Sequence, residues 1–169
     1  TPLSVILASP GFLYLNEPGN ETEQRELNDR ELAVRLAYFL WSAPPDQRLL
    51  DLAKRNELQQ PKVLREQVER LISDSRSNEF VSGFVHQWLG MERLDFFQFD
   101  VTLHREFDEN MRAAAGTEVY ESFAYLLRQS QRGQIGKLLE SDYVFINGLL
   151  ANYYGIGGVT GDEFRKVKL

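Results

Sequence analysis

The feature that most constrains the fold is a run of large apolar residues, FVSGFVHQWL, at residues 80–89. Phe80, Phe84 and Trp88 recur every four residues, so in an α-helix they lie one above the other on a single face. The residue that follows each of them is also apolar, which widens this face. We therefore expect the segment to form the central core helix, ended by Gly90 in a left-handed cap.

Capping signals predict further helices on both sides of this segment. Asn28 and Glu31 have the spacing of a capping box, in which each side chain accepts a hydrogen bond from the other residue's backbone N–H. Pro61 suits the first position of another helix. Asn147 can cap a last helix, and Gly155 is placed to end it.

The remaining pattern indicates an all-α fold. Apolar spacing predicts that the longest helix runs from Asp108 to about Gln129. No sustained alternation bounded by hairpin signals is present, so strands are not expected. The aromatic segment containing Phe96, Phe97 and Phe99 is expected to be an irregular loop folded back over the core. The prediction is an irregular helical bundle of six to seven helices.

The order of these segments predicts four parts. Residues 1–15 look like the end of a preceding helical module, and residues 16–28 are a polar, acidic linker. Residues 29–156 form the helical domain, and residues 157–169 are expected to be a flexible tail leading to a following module. The glycine-rich stretch 155–161 is interpreted as a flexible turn. Because the chain does not begin with Met, we expect it to be a piece of a longer protein.

Composition argues against several classes of partner and cofactor. The net charge is -6 and Lys and Arg are not clustered, so neither nucleic acid nor an anionic membrane is expected as a partner. No apolar run approaches the roughly 20 residues of a membrane span, so no membrane insertion is expected. The absence of cysteine excludes disulfides, thiolate zinc sites and covalent haem attachment within this chain. No cofactor is therefore predicted for it.

Glu118 is the main candidate for a catalytic role. It lies at the edge of the apolar face of the long helix, where a carboxylate must find a donor or shift its pKa upward. Asp142 and Tyr143, near the start of the last helix, are the candidates to act with it. The structural alternative is a hydrogen bond to Glu118 from a Trp or Arg of another helix, and capping alone can explain Asp142.

The two histidines do not predict a metal site. His86 lies on the side of its helix away from the apolar face, so it should point to solvent or to a neighbouring module. His104 precedes the long helix. Neither belongs to a Glu-x-x-His pair of the kind that holds two iron ions in helical bundles.

A further set of residues consists of amides and aromatic rings that could contact a ligand or partner. Aromatic clusters of this kind fill cores more often than they bind partners. The candidates for binding are Trp88, Gln87, Asn147, Phe96, Phe97 and Phe99.

Four segments together resemble a known family. They are LAVRLAYFLWSAPPDQRLLDLA (residues 32–53), FVHQWLGMERL (84–94), the region 107–123 and SDYVFINGLLANYYGI (141–156). They resemble a helical domain of unknown function in large planctomycete-type proteins, which often carry c-type cytochrome modules elsewhere in the chain. The matching positions include Trp41, Gln87, Trp88, Glu118, Asp142, Tyr143 and Asn147.

The resemblance carries no catalytic assignment. It implies a periplasmic, envelope or secreted location and neighbouring domains of the parent protein as partners, with a cytochrome module as one candidate. Any c-type haem would belong to another part of the parent. The leading hypothesis is a non-enzymatic scaffold or interaction module. The alternatives are an enzyme domain using Glu118 as acid or base, and a docking surface for a cytochrome module at residues 96–99.

Overall fold

The computed structural model of the chain describes residues 2–14, 25–100, 102–105, 107–129 and 135–169. Within these ranges the fold is mostly helical, as predicted, with one small sheet in addition. The α-helices are α1 (Pro2–Leu7), α2 (Pro10–Leu13), α3 (Asp29–Trp41), α4 (Gln47–Lys54), α5 (Pro61–Ser73), α6 (Asn78–Trp88), α7 (Glu92–Phe96), α8 (Glu109–Gln129) and α9 (Gly148–Tyr154). The strands are β1 (Tyr143–Ile146) and β2 (Arg165–Lys168), and short 3-10 helices span Ser75–Ser77 and Ile135–Leu138.

The helix ends follow the local signals in the sequence. The Asn28 side chain accepts the Glu31 N–H at 2.9 Å, and the Glu31 carboxylate accepts the Asn28 N–H at 2.9 Å. The Asn147 side chain accepts a backbone N–H from the first turn of α9 at 3.1 Å. Gly90 and Gly155 have φ values of 63° and 71°, in the left-handed region that glycine adopts without strain. These predictions are confirmed.

The first hydrophobic core lies among α3, α4, α5 and the turn that follows α4. Two buried hydrogen bonds connect its elements: the Asp29 carboxylate accepts the Leu58 N–H at 2.7 Å, and the Trp41 indole N–H donates to the Leu71 carbonyl at 2.9 Å. Because both bonds are buried, each satisfies a polar group that would otherwise be costly to remove from water. The core residues are Ala33, Ala37, Leu40, Trp41, Leu49, Leu52, Ala53, Leu58 and Leu71.

Helix α6 buries only one edge of the predicted apolar face. Val81 and Val85 are 2% and 0% exposed, whereas Phe84 and Trp88 are 43% and 46% exposed. The helix contacts both α3 and α8, and its valines meet Ala124 of α8 in a separate core. Small side chains at this contact allow the two helices to approach closely, which leaves the larger rings along the rim. The prediction that the rings fill the core was therefore wrong for Phe84 and Trp88.

The sheet joins the first half of α8 to α9 through a second hydrophobic core. Strands β1 and β2 pair antiparallel, with Tyr143 opposite Lys168 and Ile146 opposite Arg165. Each strand is only four residues long and a helix lies between them in the chain, so the sequence lacks the hairpin signal that would predict this pairing. The buried residues of this core are Met111, Ala114, Ile146, Leu150 and Ala151.

The segment 157–169 differs from the flexible tail that the sequence predicted. Val159, Phe164 and Val167 pack against the second core. In the glycine-rich stretch, the Gly161 carbonyl accepts the Gly148 N–H at 2.8 Å. The segment thus completes the domain, while its connection to a following module remains a prediction.

The aromatic segment after α6 also differs from its prediction. Phe96 and Phe97 are 84% and 57% exposed, so they do not fold back over the core. Phe99 alone of the three packs inward, with its ring centroid 4.0 Å from that of Phe107. Short helix α7 occupies the part of this segment that was expected to be irregular, and it turns Phe96 outward.

At the start of the chain, α1 and α2 contain no buried residues. Of the predicted linker 16–28, residues 16–24 lie outside the described residues. None of the helices in the described ranges combines the length and apolar character needed to cross a bilayer.

Candidate functional site

Glu118 lies on the side of α8 that faces α9. Its carboxylate accepts a hydrogen bond from the Tyr154 hydroxyl, with 2.7 Å between the oxygens. Burial raises the pKa of Glu118 above its usual value and outweighs the opposing effect of the Tyr154 hydrogen bond. Burial and the adjacent carboxylate likewise raise the pKa of Tyr154. The donor is thus a tyrosine and not the Trp or Arg that we considered from the sequence.

Glu118 borders a half-open cleft of about 320 Å³ between α8, the end of α6 and the start of the sheet. Its walls are mostly apolar, and its polar side chains come from three separate segments. The size is near the lower limit of small-molecule and side-chain binding sites. The lining residues are Leu89, Glu118, Val119, Ser122, Leu126, Lys137, Leu138, Leu139, Ser141, Tyr143 and Val144.

The structure places Tyr143 at this cleft together with Glu118, but it places Asp142 elsewhere. Asp142 is exposed and does not line the cleft, and its backbone carbonyl accepts the Leu169 N–H at 2.8 Å. The Tyr143 ring packs against Tyr125, with centroids 5.3 Å apart, and Lys166 Nζ lies 4.1 Å from its centroid. The contact with Lys166 of β2 lies within the sheet, whereas the packing on Tyr125 of α8 gives Tyr143 a role in holding the sheet against that helix.

A second group of residues forms a row of rings on the surface. We call Phe39, Phe80, Phe84, Trp88 and Phe123 the aromatic ladder. Successive centroids from Phe39 to Trp88 are 4.9, 5.5 and 5.7 Å apart, and Phe123 lies 5.8 Å from Phe84. Phe39, Phe84 and Trp88 are between 43% and 64% exposed. The sequence indicated the i, i+4 spacing within α6, but not the contributions of Phe39 from α3 and Phe123 from α8.

The other predicted binding residues fall into two groups. Gln87 is exposed next to Trp88, and Phe96 and Phe97 are exposed away from the ladder contacts. Asn147 is 8% exposed, and its side chain is used in capping α9. Capping therefore accounts for Asn147 without a ligand.

A larger cleft lies on another part of α8, and His86 is near it. This cleft has a volume of about 550 Å³ and is lined by Met91, Leu94, Glu109, Arg112, Ala113, Gly116 and Tyr120. The prediction for His86 was that it points to solvent or to a neighbouring module; it is instead half-buried, with Nδ1 3.0 Å from the Tyr120 hydroxyl of α8 in the same domain. The contact between α6 and α8 covers the side of α6 that the helical wheel left open. Only the arrangement of the two helices could have shown this.

In the described ranges, no group of three or more His, Asp or Glu side chains is placed to hold a metal ion. His86 contacts Tyr120, and the ring of His104 lies edge-on to Phe99 with centroids 6.2 Å apart. Both histidines thus have aromatic neighbours. The absence of a cofactor remains a prediction.

Taken together, the fold and its surfaces define a mostly helical domain with an exposed aromatic ladder and an apolar cleft that contains one carboxylate. A family described as "Protein of unknown function (DUF1592)" matches residues 27–156, which is most of the chain. The chain belongs to this family. No curated protein and no solved structure gives a significant match. The match supports the resemblance to a domain of unknown function, while the planctomycete and cytochrome associations remain predictions.

Proposed function

We propose that this domain is a non-enzymatic interaction module that holds a neighbouring domain of its parent protein through the aromatic ladder. The observation that carries the proposal is the exposure of ordered, mutually packed rings: Phe39 is 64%, Phe84 43% and Trp88 46% exposed. Contiguous exposed apolar patches commonly mark binding surfaces. Because neighbouring rings already hold one another, little side-chain freedom remains to be lost when a partner binds.

The geometry around Glu118 favours binding over catalysis. A constellation of catalytic groups is recognised by side chains that converge on one reacting position. Tyr143 lines the same cleft, but its ring is engaged with Tyr125 and Lys166, and Asp142 lies outside the lining. The hydrogen bond from Tyr154 gives Glu118 a structural role that needs no substrate.

The partner that we propose is another domain of the same parent protein. The proposed location is the periplasm, the envelope or the outside of the cell. A cytochrome module is one form that this partner can take. These three proposals rest on the family resemblance of the sequence and not on a site in the fold.

Substitution within the ladder tests the proposed function. The chain and the remainder of its parent protein are prepared separately, and their affinity is measured by titration calorimetry. We expect Trp88→Ala to weaken binding by roughly 10-fold or more, as for buried aromatic anchors in other interfaces. Phe96→Ala is the matched control, because Phe96 is exposed but lies off the ladder. Equal affinity of the wild type and Trp88→Ala, with both folded by circular dichroism, would contradict the proposal.

One observation favours the alternative of an enzyme domain. Glu118 has a raised pKa and shares a cleft with Tyr143, as a general acid would. Glu118→Gln keeps the size of the side chain and an oxygen that can accept the Tyr154 hydroxyl. The alternative requires this variant to lose the turnover of whatever reaction the parent protein catalyses. Unchanged turnover would exclude it.

A further inference from the structure

We infer that the Glu118 cleft receives a lysine or arginine side chain of the polypeptide that lies on the aromatic ladder. The inference rests on the proposed function and adds the chemistry of the partner. The cleft combines apolar walls with a single carboxylate that accepts a hydrogen bond from Tyr154. Long basic side chains have the matching division into an apolar stem and a charged end.

The charge of Glu118 is not balanced within the described part of the chain. Its pKa is shifted by burial and by the Tyr154 hydrogen bond, with no contribution from a positively charged group. Lys137 also lines the cleft, but among the described residues no ion pair within 4 Å joins its ammonium to Glu118. A half-buried carboxylate is stabilised when a cation approaches it, and the net charge of -6 also favours a basic partner.

Residues of the cleft neighbour residues of the aromatic ladder, and the inference is that one bound segment reaches both. Leu89, which lines the cleft, follows Trp88 of the ladder directly. Val119, another lining residue, packs in the same core as Phe123, which lies one helical turn further along α8. A segment with apolar side chains on the rings can thus place its next side chain against Leu89 and Val119, with the charged end at Glu118.

A pair of small probes tests the cleft separately from the ladder. The probes are Nα-acetyl-lysine N-methylamide and its uncharged counterpart Nα-acetyl-norleucine N-methylamide, each titrated into the ¹⁵N-labelled chain and followed by NMR. We expect the lysine probe to shift the amide signals of Glu118, Ser122 and Val144 in a saturable way. The response should weaken with added salt, because the contact depends on charge. The norleucine probe should give at least 5-fold weaker binding.

Two variants complete the test. Glu118→Gln should reduce binding of the lysine probe at least 5-fold, whereas Glu121→Gln, which removes the same charge from α8 but does not line the cleft, should leave it unchanged. Equal responses to the two probes, no response to either, or full binding by Glu118→Gln would overturn the inference. None of these results bears on Trp88→Ala, so the ladder proposal can stand if the cleft inference fails.

Discussion

At the residue scale, a few polar side chains connect the helices of the first core. The Arg70 guanidinium pairs with the Asp46 carboxylate at 2.7 Å, and Asp46 also accepts the Leu49 N–H at the start of α4. The Arg76 guanidinium lies 3.4 Å from the centroid of the Trp41 ring, and that of Arg70 lies 5.4 Å from it. A cation over an aromatic face is favourable, more so as water is excluded. The end of α3, the start of α4 and α5 therefore meet at one polar cluster.

Asp46 gives a pH-dependent prediction. Burial raises its pKa, but the hydrogen bonds from Arg70 and the Leu49 N–H outweigh burial, so the pKa lies below 3.8. A lowered carboxyl pKa stabilises the fold above pH 3.8, and this stabilisation is lost as the pH falls through the folded-state pKa. We expect Asp46→Asn to lower the free energy of unfolding by about 0.5–1 kcal/mol at pH 7, and Asp46→Ala by about 1–3 kcal/mol, since Ala also removes the cap.

Urea unfolding at pH 7 and pH 3 checks this prediction. The difference between wild type and Asp46→Asn should shrink at pH 3, because pH 3 lies below the unfolded-state pKa of 3.8 and part of the charge-dependent stabilisation is then lost. Asp51→Asn is the control, since the Asp51 side chain is 45% exposed and its ion pair with Lys54 is long, with 3.9 Å between nitrogen and oxygen. A difference that stays constant between the two pH values would show that Arg70 does not act through the Asp46 charge.

At the element scale, the start of α9 depends on a close backbone approach. A Cβ atom at Gly148 would lie 2.9 Å from the Gly161 nitrogen and 3.0 Å from the Gly161 oxygen. Gly161 itself has φ +84°, a conformation that other residues adopt only with strain. The glycine-rich stretch thus rests directly on the first residue of α9. Its glycines serve packing and backbone conformation.

Replacement of two glycines by alanine tests this arrangement. Gly148→Ala should lower the free energy of unfolding by about 1–3 kcal/mol, because the backbone of Gly161 must move. Gly83 lies within α6 and is exposed, and a Cβ atom there would meet no other atom within 4 Å. Gly83→Ala should therefore raise the free energy of unfolding by up to about 1 kcal/mol through helix propensity. Thermal and urea unfolding of both variants provide the measurement. A Gly148→Ala protein as stable as the wild type would show that the stretch is loosely held.

At the scale of the whole molecule, the described residues form three small cores in place of the single bundle core that the sequence indicated. The third core is the one that Val81, Val85 and Ala124 form between α6 and α8. Phe80 packs against both this core and the first. Helix α8 contributes Met111 and Ala114 to the second core and Ala124 to the third. Among the described residues, α8 and the Phe80 ring therefore help to link the three cores.

The second core predicts the effect of truncation. Three of the residues that pack against it, Val159, Phe164 and Val167, lie beyond the family match, which ends at residue 156. Removal of residues 157–169 should lower the free energy of unfolding by about 2–5 kcal/mol, from the apolar area exposed by partly buried side chains. Removal of residues 1–14 is the control, since α1 and α2 bury nothing. Equal unfolding midpoints for the wild type and the variant that lacks residues 157–169 would show that this segment does not stabilise the second core.

Residue patterns predicted part of the candidate site. Glu118 was correctly identified as a carboxylate at the edge of an apolar face, and its raised pKa agrees with that position. Its donor Tyr154 was not identified, because the two residues belong to helices separated by the sheet strand β1. Asp142 was grouped with Glu118 because, like Tyr143, it lies near the start of the last helix. Asp142 lies in the bend just before β1 and is exposed, so adjacency to Tyr143 did not bring it to the cleft.

The helix boundaries could be predicted because their causes are local. A cap such as Asn28 or Asn147, or a left-handed glycine such as Gly155, acts over three or four residues of the same chain segment. The exposure of Trp88 and the pairing of β1 with β2 depend instead on contacts between segments far apart in the chain. Which contacts form is set by the mutual fit of packed side chains and by the closure of the intervening loops, and neither is encoded in the spacing within one segment.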